Sequence, residues 1–516
     1  MPGSQTAATP HTGDLRAARV ALRAAHYDLA LELLAGCADW PAPWAEPAVL
    51  LRAEVLGRRD PIGALGWLIG LEDLFAGEPA RFAFALAAGK AYAGVHDLAS
   101  ARARYAAAGT MARRVAGGPA LLSHHTAQLR WLERDFAPDA PDVALALTHP
   151  DPSIAAAAYA VRGRLHGGRG DFRAQCADFE RALAFAETPA DEPVDVATLA
   201  LTCQALARVA FETADGAALA AARRAFDTLA WTPDVAVERY TALRVLGWDA
   251  FMRGRGTDAR WAFKDALALA PSPAWRVMAH LDRAHVAGLG HEEPRAVEEL
   301  AEADRLAQEV RWESTRGEER QALVWLATLH APVDAVRAQR YAAVYASLGT
   351  VNVEPAAALN GDRRALAFAR YAQGRIDQAL GRRASAIAAL REAYGIFDGA
   401  EHHYRAMLAA SGLAELTGDE GWRLRAVAHA RRYPDCPLLS LVDDAVAREE
   451  AMPRQLSPLQ RQIARALWSG ADAPELAERF GRSASATERQ IAAVFSAFGV
   501  ASRTALLDEA RKRGLA

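Results

Sequence analysis

Apolar residues along this chain recur three and four positions apart, in short runs that glycine and proline interrupt. That spacing is typical of amphipathic helices, and no segment alternates apolar and polar residues with turns at the intervals expected of β-strands. Alanine is abundant and β-branched residues are scattered singly, which also favours helix over strand. The pattern therefore predicts an all-α protein.

The helical segments recur with a period of roughly 34 residues. The clearest copy runs from Tyr240 to Pro273. Its small, aromatic and turn positions are Leu246, Gly247, Gly254, Ala259, Phe263, Ala266, Leu267 and Pro271. Small residues let the two helices of a copy approach closely, and the aromatic ring fills the gap to the next copy. Because no such pair buries its apolar face alone, the pairs are expected to stack.

Three further copies keep these positions. They comprise Gly89, Tyr92, Leu98, Ala101, Tyr105 and Ala108; Gly163, Gly170, Phe172, Phe179, Ala182 and Leu183; and Gly374, Gly381, Ala386, Leu390 and Ala393. The set resembles tetratricopeptide repeats, and the resemblance implies a right-handed superhelix. We expect residues 15–450 to form one such α-solenoid of about ten to twelve helix pairs. Residues 1–14 have neither the basic start nor the apolar core of a signal peptide, and they are predicted to be a disordered tail.

The C-terminal stretch predicts a second, smaller domain at residues 456–516, joined through a linker at 451–455. Its apolar residues fall in three helical bursts, at Ile463, Leu467, Leu476, Phe480, Ile491, Val494, Phe495 and Phe498. We expect one helix to begin at Ser457-Pro458 and a second to begin at Asp472 and end at Gly481. Ser483 or Ser485 is expected to cap the next helix. Two short helices around a tight turn form a helix-turn-helix, whose second helix can enter a DNA major groove.

This stretch resembles the DNA-binding domain of LuxR-type transcriptional regulators over residues 456–507, without a gap. The matching residues are Leu456, Ser457, Pro458, Arg461, Gly470, Glu475, Ala477, Gly481, Ser483, Phe495, Gly499, Val500, Ser502 and Arg503. The resemblance implies a small four-helix domain with DNA as its partner. It also implies that the last helix pairs two copies into a homodimer, through Leu506, Leu507 and Ala510. Alternatively, Leu506 closes the small core and only Leu507 is exposed.

Candidate DNA contacts follow from the same resemblance and from the chemistry of phosphates and guanine edges. They are Arg479, Arg482, Ser485, Glu488, Arg489 and Arg503. The family's DNA-contacting lysine corresponds to Glu488, so a carboxylate stands where a phosphate or base edge is expected, which weakens binding. Alternatively, Ser485 and Glu488 form a capping box, with the glutamate folded onto its own helix.

Charge distinguishes the two parts of the chain. The whole chain carries a formal net charge of −3, and residues 451–516 hold ten Arg or Lys and six Asp or Glu, a balance of 10 − 6 = +4. The preceding 450 residues therefore carry −3 − 4 = −7. This asymmetry favours a nucleic-acid interface at the C-terminal end.

Other classes of function find little support in the residues. The four cysteines fit no metal-ligand spacing and indicate a reducing cytoplasm, and no apolar run approaches the roughly 18 residues of a membrane span. No P-loop accompanies Lys90, and the histidines, whether adjacent in pairs or scattered, lack the spacing of a metal site. We therefore expect no enzyme activity, no metal and no cofactor.

Together these patterns predict a cytoplasmic transcriptional regulator in which a helical-repeat domain senses a signal and the terminal domain binds DNA. A concave helical surface suits a peptide, a protein partner or a small molecule, and the sequence leaves all three open. The alternative is a protein-interaction scaffold whose helix-turn-helix no longer binds DNA, which Glu488, Ala492 and Ala497 favour because they replace basic contacts.

Overall fold

The computed structural model describes residues 10–42, 44–187, 193–289, 292–315, 317–330, 334–348, 363–439, 452–453, 455–468 and 471–513. These residues are mostly α-helical and include no β-strand, so the predicted all-α class is confirmed. We refer to residues 10–439 as the repeat region and to residues 452–513 as the terminal region.

The repeat region contains 22 described α-helices. The first eleven are α1 Pro10–Arg23, α2 Tyr27–Leu33, α3 Ala45–Arg59, α4 Pro61–Leu68, α5 Glu78–Gly94, α6 Leu98–Gly109, α7 Gly118–Leu132, α8 Pro141–Ala146, α9 Pro152–Arg169, α10 Phe172–Ala184 and α11 Val196–Glu212. The next eleven are α12 Gly216–Thr228, α13 Ala236–Met252, α14 Gly256–Leu269, α15 Pro273–Leu289, α16 Glu293–Ala307, α17 Gln321–His330, α18 Ala335–Ser347, α19 Arg363–Ala379, α20 Arg383–Gly399, α21 His403–Thr417 and α22 Glu420–Ala430.

Each odd-numbered helix of this region packs against the even-numbered helix that follows it, from α1 with α2 to α21 with α22. The described part of the region thus forms eleven consecutive helix pairs. The aromatic ring of each of two pairs packs on the small residue of its own pair: a Cβ atom on Gly163 would lie 2.7 Å from Cε1 of Phe179, and one on Gly247 would lie 3.0 Å from Cε1 of Phe263. The helical-repeat architecture is therefore built on close glycine-to-aromatic contacts.

The turns inside the helix pairs share one backbone arrangement. A residue just after the first helix has a positive φ, and the next residue is often an aspartate whose side chain caps the second helix. Gly170 with Asp171 and Gly418 with Asp419 show the arrangement with glycine. In other turns a residue other than glycine takes the positive φ, namely Ala25, His96, Arg134 or Ala214. Copies without glycine thus keep the same turn at a cost in backbone strain.

Contacts also join repeats that lie far apart in the sequence. The Tyr433 hydroxyl donates a hydrogen bond to the carbonyl of Phe211 (2.6 Å), and the Thr232 hydroxyl donates to the carbonyl of Ala25 (2.8 Å). The backbone N–H of Tyr27 donates to Asp234 as well. Both ends of the repeat region therefore pack against its middle, whereas a simple solenoid has contacts only between neighbouring repeats.

The terminal region consists of four described helices, α23 Pro458–Trp468, α24 Ala473–Arg479, α25 Ala484–Phe498 and α26 Arg503–Lys512. Its core is made of apolar residues from these helices and from the segment just before them. Ser457 and Gln460 form a capping box at the start of α23, and Asp472 with Glu475 forms another at α24. Gly481 ends α24 with a φ of 59°. These helix boundaries agree with the predicted ones.

Two predicted boundaries need correction. Helix α1 begins at Pro10, so the predicted tail is helical from that residue onwards, because His11 packs on Trp40 and Thr12 accepts a hydrogen bond from Trp44. Residues 1–9 lie outside the described residues. Met452 belongs to the core of the terminal region rather than to a free linker, because it is buried among the apolar residues of that core.

No single helix in the described ranges is long and apolar enough to cross a membrane, although α25 and α26 together, bent by 43°, meet the criterion on length and composition. The four cysteines, all described, are buried and form no disulfide: Cys37, Cys176, Cys203 and Cys436.

Candidate functional site

The repeat region encloses a cavity of about 900 Å³. Its wall is formed mainly by the first helix of successive pairs, including α9, α11, α13, α17, α19 and α21. A cavity of this size falls within the range that holds small ligands in other proteins. The sequence predicted a concave helical surface, and the packing of the C-terminal helices α19 and α21 on α9 and α11 turns that surface into a pocket.

The wall residues follow a register set by the small residue of each repeat. The residue immediately after the small one faces the cavity in three repeats: Arg164 after Gly163, Arg208 after Ala207, and Trp248 after Gly247. The residue three positions before the small one also faces it in two of them, Gln204 and Arg244. The glycine positions in the sequence mark this register, although by themselves they predicted only close packing of the helices.

Aromatic rings form much of the wall. His285 lies between two of them, 5.3 Å from Trp248 and 5.4 Å from Trp325 between ring centroids. Burial in this stack, with a further contribution from the charge of Arg375, lowers the pKa of His285 to about 4. The imidazole is therefore neutral at physiological pH and packs as an uncharged group against these two tryptophans of the wall.

The charged wall residues are mostly basic. The arginines in the wall are Arg134, Arg164, Arg208, Arg244, Arg320 and Arg405, and the acids are Glu212 and Asp282. The lining thus carries a formal charge of 6 − 2 = +4, although residues 1–450 carry −7. A positive cavity in a negative region favours an anionic ligand.

Both acids of the wall are buried and engaged by basic side chains. Asp282 forms an ion pair with Arg244 and accepts a hydrogen bond from the Trp248 indole (3.0 Å). Glu212 is only 2% exposed and contacts His402 and Arg405, the latter at 3.3 Å. The second cluster joins α11 to the pair α21 and α22, so it also holds the cavity closed.

Arg164 is arranged differently. Its guanidinium lies over the Trp131 ring, 5.2 Å from the centroid, and no carboxylate of the described residues pairs with it. Burial without a compensating charge lowers the pKa of Arg164 to about 10, which still leaves the side chain protonated at neutral pH. Arg164 is therefore a cation of the wall that no carboxylate of the described residues neutralises.

The predicted DNA contacts lie on the terminal region. Arg482, Ser485, Glu488 and Arg489 are exposed, and Arg503 is half-buried. The side chain of Arg479 lies outside the described residues, as does Gly470. Four of the six predicted contacts are thus exposed around the turn at Gly481 and the start of α25.

Capping at the start of α25 differs from one predicted alternative. Ser483 caps the helix by accepting a hydrogen bond from the N–H of Ala486 (3.3 Å), whereas Ser485 lies inside the helix. A capping box between Ser485 and Glu488 is therefore not formed, because Ser485 is not at the N-cap. Glu488 stays exposed on the helix surface.

The three predicted dimerisation residues differ in how far they are buried. Leu506 and Ala510 are both 0% exposed in the core of the terminal region, and Leu507 is half-buried. The apolar surface patch predicted from Leu506, Leu507 and Ala510 is thus reduced to Leu507, because helix periodicity turns the other two residues inward. Ser502 caps α26 by accepting a hydrogen bond from the N–H of Ala505 (3.2 Å).

The described residues include no group of three or more His, Cys, Asp or Glu side chains placed to hold a metal ion.

Comparison with known proteins adds only distant similarities. No family model matches the chain, and no curated protein matches it. The apo form of the quorum sensor NprR from B. thuringiensis is 12% identical, with a TM-score of 0.41 over 75% of this chain and 98% of that chain. A Rap protein complexed with competence and sporulation factor is 13% identical, with a TM-score of 0.34 over 80% of this chain and 99% of that one.

A third solved structure, the APC/C hetero-tetramer Cut9-Hcn1, is 14% identical, with a TM-score of 0.26 over 85% of this chain and 86% of that chain. Such low scores support no conclusion about this protein. Its function has to follow from the cavity and from the terminal surface.

Proposed function

We propose that this chain is a transcriptional regulator in which the repeat region binds a signal in its central cavity and the terminal region binds DNA through a helix-turn-helix. The observation that carries the proposal is the cavity, a basic and aromatic pocket inside a helical-repeat region that is joined to a small basic domain. It has a volume suited to a small ligand or a short peptide. Neither catalysis nor a cofactor is part of the proposal.

The DNA-binding half of the proposal rests on α24, the turn at Gly481 and α25. Arg482 and Arg489 are exposed there, and neither forms an ion pair within the described residues. Exposed guanidinium groups at the start of such a helix suit contacts to phosphates and guanine edges. Glu488, exposed beside them, opposes the approach of a phosphate.

A direct test uses fluorescence anisotropy of a labelled duplex taken from the DNA upstream of the protein's own gene, at two salt concentrations. Glu488→Lys is expected to tighten binding, because it replaces repulsion with attraction, and to steepen the log-log salt dependence by about 0.9 for each additional phosphate that the protein neutralises. Arg489→Ala is expected to weaken binding. Asp508→Lys serves as the matched control, since it makes the same change of charge on α26 at another exposed position.

The exposed carboxylate of Glu488 favours a second function, a protein-interaction scaffold whose terminal region no longer binds DNA. The scaffold predicts no binding by the wild type or by either variant at physiological salt. That outcome would refute the DNA-binding half and leave the cavity and the repeat surface as the functional parts.

A further inference from the structure

The basic side chains of the cavity wall differ in what balances their charge. Asp282 pairs with Arg244 and Glu212 pairs with Arg405. Arg320 donates to the backbone carbonyls of Thr315 (2.8 Å) and Leu348 (3.3 Å), which orient it without neutralising it. Two of the wall's arginines are thus paired with the wall's two acids, and Arg320 is held by backbone carbonyls.

Arg164 contributes to the positive charge of the cavity wall without a carboxylate partner among the described residues. Its contact with Trp131 holds the guanidinium plane near an aromatic face, and the side chain is half-buried. Even partial burial of a charge without a partner costs free energy, so a protein of ordinary stability rarely keeps such a group without a role. A guanidinium presents several N–H donors in one plane, which match the two oxygens of a carboxylate.

Gln175 provides a second and independent observation. This side chain lies in the same wall, is only 3% exposed, and its amide oxygen has no hydrogen-bond partner among the residues that the structure describes. Gly167 makes room for it, because a Cβ atom on Gly167 would lie 2.6 Å from the amide carbon of Gln175. Buried amide oxygens are almost always satisfied, so this one points to a donor that a ligand supplies.

We propose that the cavity takes a short peptide whose free C-terminal carboxylate docks on the Arg164 guanidinium. The proposal rests on the signal-binding function proposed above and specifies its ligand. Gln175, Gln204 and Gln321 line the same cavity. An amide side chain offers both a donor and an acceptor, which is the pairing that a peptide backbone requires. The aromatic wall residues receive apolar side chains of the peptide.

The proposal explains why Arg164 is tolerated in the free protein. The bound carboxylate supplies the missing negative charge, so ligand binding offsets a cost that the unliganded fold bears. A purely structural arginine would instead have a protein partner and would stabilise the fold. Replacing Arg164 by glutamine is therefore expected to leave the Tm of the free protein unchanged or to raise it, while the preference for a peptide with a free carboxylate is lost.

In the experiment, the full-length protein is mixed in a single sample with two versions of one hexapeptide library. Both versions have acetylated N-termini and are made without Asp and Glu; one ends in a free carboxylate and the other in an amide. Peptides that stay with the protein through size-exclusion chromatography are identified by mass spectrometry. The wild type is expected to retain the acid form at least about tenfold over the amide form, since one charge-assisted pair contributes roughly that factor. Arg164→Gln should retain both forms equally.

Arg173→Gln is the matched control, because it removes an exposed arginine from the neighbouring helix and should keep the wild-type preference. Equal retention of both forms by the wild type would overturn the carboxylate site and leave peptide binding by the cavity in place. An unchanged preference in Arg164→Gln would also overturn it. If that variant does not fold, Arg164→Met takes its place, and failure of both to fold would make the guanidinium a structural requirement and refute the proposal.

Pyrophosphate tests whether the cavity binds a phosphorylated small molecule instead of a peptide. If it raises the Tm of the wild type but not of Arg164→Gln, while no peptide is retained, the ligand is a phosphorylated small molecule and the peptide is ruled out. DNA binding by the terminal region is measured separately, so its failure would not be confused with failure at the cavity.

Discussion

The repeat region and the terminal region handle charge in opposite ways. In the repeat region, charged side chains are buried and joined across long sequence distances, as with Glu212 and His402, which are 190 positions apart. In the terminal region, Arg482, Glu488 and Arg489 are exposed and lie close together in sequence. The first arrangement shapes an interior that selects a ligand, and the second presents a surface whose contacts depend on salt.

The difference also concerns how each region is stabilised. The helices of the terminal region begin at local caps, each formed by residues within three positions of one another. The cavity of the repeat region depends on contacts between distant repeats. Mutations should therefore act globally in the repeat region and locally in the terminal region.

The largest effect is expected for Glu212→Ala. This change leaves His402 and Arg405 facing a buried gap where two repeats meet, and removing one member of a buried charged pair costs about 3–5 kcal/mol. Glu415→Ala is the control, because Glu415 pairs with Arg375 at 3.6 Å but its side chain is 58% exposed, and such pairs contribute about 0–1 kcal/mol. Urea unfolding measures both, and equal losses would show that the contact at Glu212 does not hold the cavity closed.

Glycine-to-alanine substitutions test whether close packing of the helices requires the small residue of each repeat. Gly163→Ala brings a Cβ atom to 2.7 Å from the Phe179 ring, and overpacking of this kind costs about 1–3 kcal/mol. Gly395→Ala, inside α20 with no atom within 4 Å of the new Cβ, should instead stabilise by about 0.5–1 kcal/mol. Thermal unfolding distinguishes the two, and a stabilising Gly163→Ala would contradict the close packing of Gly163 on Phe179.

The neutral His285 predicts a dependence of stability on pH. Its folded pKa of about 4 lies below the usual 6.5, so between these values the unfolded chain binds a proton that the folded chain does not. The free energy of unfolding therefore falls as the pH drops below 6.5, by up to about 2 kcal/mol at pH 5 from this group. His285→Gln should flatten that part of the profile, and an identical slope in the variant would place the acid sensitivity elsewhere.

The smallest effect is expected in the terminal region. Asp472→Ala removes the capping box of α24 and should destabilise this region by about 1 kcal/mol. The repeat region should be unaffected, since the cap lies wholly within the terminal region. Hydrogen exchange resolved along the chain measures the two regions separately, and faster exchange in α9 or α11 would show that they unfold together.

Much of the fold was predictable because it follows from local rules. The period of apolar residues predicts helices, Gly247 and Phe263 predict a close pair, and Ser457, Asp472 and Gly481 predict where terminal helices begin and end. The copies around Ala25 and Ala214 escaped recognition because alanine takes the positive φ that glycine takes elsewhere. The aspartate after Ala214 was the remaining signal, since Asp215 caps the following helix as Asp97 does in a copy that was recognised.

The candidate site also combines features that follow from local rules with features that do not. The helices, their pairing and the exposed residues at the start of α25 follow from the sequence, since these features depend on neighbours within a few turns. Three features emerged only from the fold: both ends of the repeat region pack on its middle, Leu506 and Ala510 point inward, and Arg164 and Gln175 share one wall. Such contacts join residues far apart in sequence through packing geometry, which no periodic pattern encodes.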